Sequence, residues 1–201
     1  RGIYDAVERM GFQSGNILEP SMGVGNFFGM LPTSMADSRL YGVELDSITG
    51  RIAKKLYPQA DITVAGFETT DRRDFYDLAV GNVPFGQYKV NDKAYNKLGF
   101  SIHNYFFAKA IDQVRPGGII AFVTSRYTMD SKDSTARKHM AERADLLGLS
   151  VCRIMRSVLT LVQMLSATLS FCRSVTALRI SSPHGCSWGR LRMDLLSTAI
   201  L

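Results

Sequence analysis

The hydrophobic pattern of this chain alternates between helical and extended periods from residue 3 to residue 147. A helix is predicted over 3–11, ended by Gly11, and a short strand over 16–19 (Asn-Ile-Leu-Glu). Asn26 stands where it can cap a helix over about 27–36, and Leu40-Tyr41-Gly42-Val43-Glu44 reads as the next strand. Asp46 or Ser47 caps a helix running to about Leu56, and strands follow at 61–65 and 76–80. The polar stretch 86–99 reads as a loop and 101–114 as a helix, stopped by the turn Arg115-Pro116-Gly117-Gly118. An apolar strand over 119–124 and a polar-faced helix over 133–147 complete the series. Strands separated by helices imply parallel pairing, so the expected class is α/β with a doubly wound, mostly parallel sheet.

Residues 148–201 break this alternation: they hold ten Leu and nine Ser and show no period of 2 or 3.6. The expected organisation is a catalytic-type core over 1–148, truncated at its N-terminus, and an atypical tail over 149–201. Charge follows the same division. Of the formal net charge of +6, residues 1–147 contribute 18 Lys and Arg against 17 Asp and Glu, and the tail six Arg against Asp194. The basic balance is therefore weak evidence for a nucleic-acid face on the core. Cys152, Cys172 and Cys186 all lie in the tail, at spacings that match no zinc pattern, and an odd count argues against a disulfide framework. No metal site, no membrane segment and a cytoplasmic setting are the expectations. The longest late uncharged stretch, between Arg156 and Arg173, is shorter than the ~20 residues of a membrane span.

Four places carry chemistry. In Leu18-Glu19-Pro20-Ser21-Met22-Gly23-Val24-Gly25-Asn26-Phe27 a strand ends in an acid and Pro, and a G-x-G turn leads into a helix. Such a turn lets backbone approach a ligand. A dinucleotide fingerprint would need a third glycine where Phe28 stands, and Glu19 would repel a pyrophosphate but can accept from an ammonium. Glu44, some twenty residues on, ends the second strand, where a carboxylate can accept both hydroxyls of a ribose. Phe67, in Gly66-Phe67-Glu68, can pack on an adenine ring or serve the core. A tight structural turn and a solvated acid are the plain alternatives for the first two places.

The fourth place is Ala79-Val80-Gly81-Asn82-Val83-Pro84-Phe85-Gly86, directly after a strand. An exocyclic amine attacking a methyl sulfonium needs its hydrogens held and its lone pair aimed. The Asn82 side-chain oxygen can accept one hydrogen, and a backbone carbonyl near Val83 or Pro84 the other. Pro84 stiffens the turn, and Phe85 can stack on an extruded base. The alternative is an ordinary β-turn. His103, at the start of a helix, is placed to touch the loop at 82–86, and Arg137, Lys138 and Arg143 are placed to meet phosphates or solvent.

As a set, Glu19-Pro-Ser-Met-Gly-Val-Gly-Asn-Phe, Glu44, Gly66-Phe67 and Asn82-Val-Pro-Phe resemble the motifs of N6-adenine DNA methyltransferases. Gly81-Asn-Val-Pro-Phe-Gly, Ser101-Ile-His-Asn-Tyr-Phe-Phe and Arg115-Pro-Gly-Gly more closely resemble the methylase part of large methylase–helicase proteins of conjugative elements. The resemblance covers roughly 1–148. It implies a Rossmann-like methyltransferase fold, S-adenosylmethionine as cofactor, DNA as substrate and a helicase region in the parent protein. It implies cofactor contacts at Glu19, Pro20, Gly23, Gly25, Asn26, Glu44 and Phe67, and target-base contacts at Asn82, Pro84 and Phe85. Val83 departs from the first Pro of the general motif. Met22 stands where relatives carry Cys, lining the cofactor turn. Protein-glutamine methylases use a similar loop on an amide nitrogen, and an inactive remnant is the non-enzymatic alternative.

The break at 148 suggests a reading-frame shift, because Leu149-Ser150-Val151-Cys152-Arg153 read one base earlier can encode a strand such as relatives carry. A sheet of this class ends in a hairpin of two strands, and the tail is expected not to supply them, leaving the sheet incomplete at its C-terminal edge.

Overall fold

The computed structural model describes residues 2–84, Gly86, 88–125, 127–151 and 172–180, the last of these as backbone. Its elements, in order, are α1 (Gly2–Arg9), β1 (Asn16–Glu19), α2 (Asn26–Gly29), β2 (Arg39–Glu44), α3 (Ser47–Leu56), β3 (Asp61–Val64) and β4 (Tyr76–Asn82), followed by α4 (Ile102–Gln113), β5 (Val114–Ser125), α5 (Tyr127–Asp130), α6 (Thr135–Ala141), β6 (Ala144–Val151) and β7 (Cys172–Ile180). They build one seven-stranded sheet in the order β3-β2-β1-β4-β5-β7-β6. The first five strands run parallel, and β7 is antiparallel to both β5 and β6.

Burial follows the two-residue period of the strands. Leu78 and Val80 of β4, with Ile119 and Ala121 of β5, pack with Ile17 against Tyr4 and Val7 of α1. The intervening Ala79, Ile120 and Phe122 face the other way, onto Phe106, Phe107 and Ile111 of α4 and Met140 of α6. Both faces of the central strands are covered, as parallel sheets require. A third cluster sets Met22, Phe28, Ala53 and Ile62 together at the β2–β3 side. Asp77 joins the starts of β1 and β4, accepting the Asn16 N–H at 2.7 Å and pairing with Arg115.

Several boundaries differ from the sequence reading. The helix expected over 27–36 is only α2 and a 3-10 turn at Thr33–Met35, because Pro32 has no N–H and disfavours a helical Leu31. Gly25, not Asn26, is the residue before that helix. Asp46 caps α3, its carboxylate accepting the Thr49 N–H at 2.7 Å. The 115–118 turn lies inside β5, as an irregularity of register opposite Tyr76 and Leu78, with Gly117 at φ 81°.

The edge of the sheet is a correction. The helix expected to reach 147 stops at Ala141, and Ala144–Val151 is β6. Residues 172–180 form β7, inserted between β5 and β6, with Ile120 opposite Leu178 and Leu149 opposite Thr176. The two further strands expected to be missing are present, because β5 is an apolar strand whose open edge requires a partner, and the β-branched Val175 and Thr176 favour an extended backbone. The rest of the tail, 152–171 and 181–201, where most of the proposed frame shift falls, lies outside the described residues. Among the described residues, no helix is long and apolar enough to cross a membrane.

Candidate active site

The site is assembled where β1, β2 and β4 end side by side, at the carboxyl edge where open α/β sheets bind ligands. Pairing of Ile17 with Leu78 and Leu18 with Ala79 brings Glu19-Pro20 beside Gly81-Asn82. A Cβ on Gly81 would touch Pro20 Cδ at 3.5 Å and Glu19 Cγ at 3.6 Å. The Ser21 hydroxyl then donates to the Asn82 carbonyl oxygen at 2.9 Å. One hydrogen bond thus joins the glycine turn to the loop that begins at Asn82.

The two glycines of the turn do different work. Both have positive φ, 55° at Gly23 and 86° at Gly25, which disfavours other residues. A side chain at Gly25 would run into the Tyr57 ring, whose hydroxyl donates to the Gly25 carbonyl at 2.8 Å. A Cβ at Gly23 would meet no atom within 4 Å. Gly25 therefore serves packing, whereas Gly23 faces open space in which a ligand can lie. Asn26 is exposed just beyond it and Pro20 is buried. Glu44 ties the turn to β2: its Oε2 accepts the Gly23 N–H and its Oε1 the Asp46 N–H, each at 2.8 Å. A carboxylate offers about four acceptor positions, so this role leaves Glu44 able to accept from a ligand.

Glu19 is only 2% exposed, and its Oε2 has no hydrogen-bond partner. Burial pushes its carboxyl up to about 8; the backbone N–H groups of Phe27 and Phe28 act against that shift, and the nearby Glu44 charge adds to it. An unpartnered buried acceptor beside an open backbone turn fits a ligand that carries an ammonium group.

Phe67 lies in the core, 4% exposed, stacked on Phe106 with centroids 4.9 Å apart. Of its two sequence readings, the packing one describes its position. Met22 also turns inward: it is 3% exposed and packs against Gly42, so it supports the turn from beneath and does not line it. Asn82 is exposed at the end of β4, Pro84 is half-buried, and Phe85 lies outside the described residues. Val83 is buried and its N–H donates to the Val123 carbonyl at 3.1 Å, fixing the first residue of the loop to β5. His103 is buried, its Nε2 3.0 Å from Ser101 Oγ, and burial lowers its pKa. Arg143 contacts Glu142 at 3.2 Å on an exposed surface.

A second group of polar residues escaped the sequence reading. Asp92 Oδ2 accepts from Lys109 Nζ at 2.7 Å and from the Tyr105 hydroxyl at 2.8 Å. Lys109 also donates to the Glu68 carbonyl at 3.0 Å and lies 5.4 Å from the Phe67 ring centroid. Burial opposes the Asp92 charge, but Lys109 and Tyr105 outweigh it and hold the carboxyl below its ordinary range. This cluster binds the loop after β4 to α4 and to the turn after β3. A signal was available: Lys109 stands one turn after Tyr105 and is the one charged residue in the otherwise apolar run 105–111.

Comparison of the whole fold with solved structures decides its class. A Listeria monocytogenes protein assigned to the class I S-adenosylmethionine-dependent methyltransferases superposes with a TM-score of 0.69 at 16% identity, over 92% of this chain and 61% of that one. The fold is that of the class I methyltransferases. Geranyl diphosphate C-methyltransferase of Streptomyces coelicolor, solved with S-adenosyl-L-homocysteine, gives a TM-score of 0.59 at 13% identity, over 90% of this chain and 79% of that one. In sequence, the chain is 29% identical over 154 residues to the defense against restriction protein B of Escherichia phage P1, a match covering 73% of this chain and 7% of that protein. It is 36% identical over 87 residues to the type II methyltransferase M.CvrRI of Paramecium bursaria Chlorella virus XZ-6E, covering 42% of this chain and 23% of that protein. The chain thus spans a small part of the length of both relatives. No family model matches it.

Proposed function

We propose that this chain is the catalytic core of an S-adenosylmethionine-dependent DNA methyltransferase acting on the N6 amino group of adenine. The observation that carries the reading is the Ser21–Asn82 hydrogen bond, which holds the open glycine turn and the amine loop together at one sheet edge. The likeness to a viral type II methyltransferase and to a phage defense protein favours DNA as the substrate.

S-adenosylmethionine, when bound, supplies an electrophilic methyl on a sulfonium. Glu19 receives its ammonium, Glu44 its ribose hydroxyls, and Gly23 leaves room for its chain. Pro20, Gly25 and Asn26 shape the turn, and Phe67 supports the adenine side from within the core. On the substrate side, the Asn82 side-chain oxygen accepts one hydrogen of the adenine amine. That leaves the nitrogen lone pair pointing at the methyl. Pro84 and Phe85 hold the plane of the extruded base. Transfer of the methyl to that nitrogen would leave S-adenosylhomocysteine as the thioether product and release one proton from the cationic amine to water, so no strong base is needed before attack.

The test is the fate of labelled methyl groups offered with DNA and with protein as acceptors. The reading expects label in DNA, recovered after digestion to nucleosides as N6-methyl-2′-deoxyadenosine. Label confined to protein glutamine, or on cytosine, would contradict it.

A further inference from the structure

A cavity of about 280 Å³ opens in the segment that follows the amine loop, lined by Lys89, Asn91, Tyr95, Asn96, Phe100 and Tyr105 among others. Three of these residues are aromatic. Tyr95 and Tyr105 meet edge to face with centroids 5.6 Å apart, and Phe100 is held edge to face by His139 at 5.4 Å. The tyrosine hydroxyls are both engaged: Tyr105 donates to Asp92 at 2.8 Å and Tyr95 to Asp112 at 2.6 Å. Fixing the polar ends in this way pre-organises the rings as walls.

The mouth is polar and basic. Lys89, Asn91 and Asn96 are exposed there. Asn96 donates to Asn91 Oδ1 at 2.8 Å and accepts the Asp92 N–H at 3.0 Å. Asn91 Nδ2 has no partner among the described residues and is left to donate outward. Aromatic walls, one amide donor and one cation make up the chemistry that binds a nucleobase with its phosphate. The volume lies just under the ~300–1,000 Å³ of drug-sized pockets, which suits one ring system.

We propose that this cavity receives a nucleobase flanking the target adenine, with Asn91 meeting its edge and Lys89 its phosphate. The inference rests on the DNA methyltransferase reading and adds a subsite for sequence context to it. The test compares wild type with Asn91→Ala and Lys89→Ala, both exposed positions whose melting temperatures are expected to stay unchanged. Each protein is titrated against duplexes that differ only in the bases beside one adenine. N91A is expected to flatten the preference among those bases by about fivefold, the effect of about one hydrogen bond. K89A is expected to weaken all duplexes alike and to lower the salt-dependence slope by about one. If wild type methylates DNA and neither variant changes these profiles, the subsite is wrong and the enzyme reading stands. If wild type neither binds nor methylates any duplex, both fall.

Discussion

At the residue scale, Glu19 carries the sharpest consequence. Its carboxyl titrates near 8 in the folded protein against an ordinary 4.5. The folded state therefore holds a proton between those values that the unfolded state has released. The stabilisation is complete below about 4.5 and is lost as pH rises through 8, with a slope approaching about 1.4 kcal/mol per pH unit in between. An arriving ammonium reverses the preference and favours the carboxylate. Cofactor binding should then release close to one proton at pH 6 to 7, and affinity should rise with pH until about 8. Calorimetry in buffers of different ionisation enthalpy measures this directly. Glu19→Gln should bind more weakly with no proton release, and an unchanged proton count in that variant would remove Glu19 from the cofactor site. Residue type and order made Glu19, Gly23 and Glu44 legible in the sequence. The different duties of Gly23 and Gly25 were not legible, because Tyr57, which decides them, lies 32 residues away from Gly25.

At the scale of elements, the Asp92–Lys109–Tyr105 cluster holds a long loop to α4. The Lys109 and Asp92 side chains are 5% and 10% exposed. Removing one partner of such a pair leaves a buried charge alone, at a cost of about 3–5 kcal/mol, whereas replacing both by apolar groups costs far less. Lys109→Met is expected to lower unfolding stability by that amount in urea titration, and the double variant with Asp92→Leu to recover most of it. Additive losses would show that the two groups act separately. Strand and helix placement through β5 followed from periodicity, except for the helix expected over 27–36, which is broken at Pro32, and the 115–118 turn, which lies inside β5. The stretch 144–151 did not, because the pairing of β6 with β7, some thirty residues on, overrides local helix preference. The loop 86–99 read as featureless for a similar reason: its anchor, Asp92, finds its partners only once α4 is packed.

For the whole molecule, the sheet closes with an antiparallel pair, and the ligand edge is formed by strands that are neighbours in space but far apart in sequence. Glu19 and Gly81 are sixty-two positions apart yet lie in contact range. In the proposed reading that arrangement separates two functions by strand: the turn after β1 addresses the cofactor, and the loop after β4 addresses the amine. The account stands on this division, and Asn82→Ala tests it most directly, with methyl transfer to DNA and cofactor affinity measured on the same preparation. The account predicts that transfer falls by about a hundredfold or more, as for loss of a transition-state hydrogen-bonding group, while the cofactor Kd stays within about twofold. Equal loss of both, or transfer that survives the substitution, would contradict it.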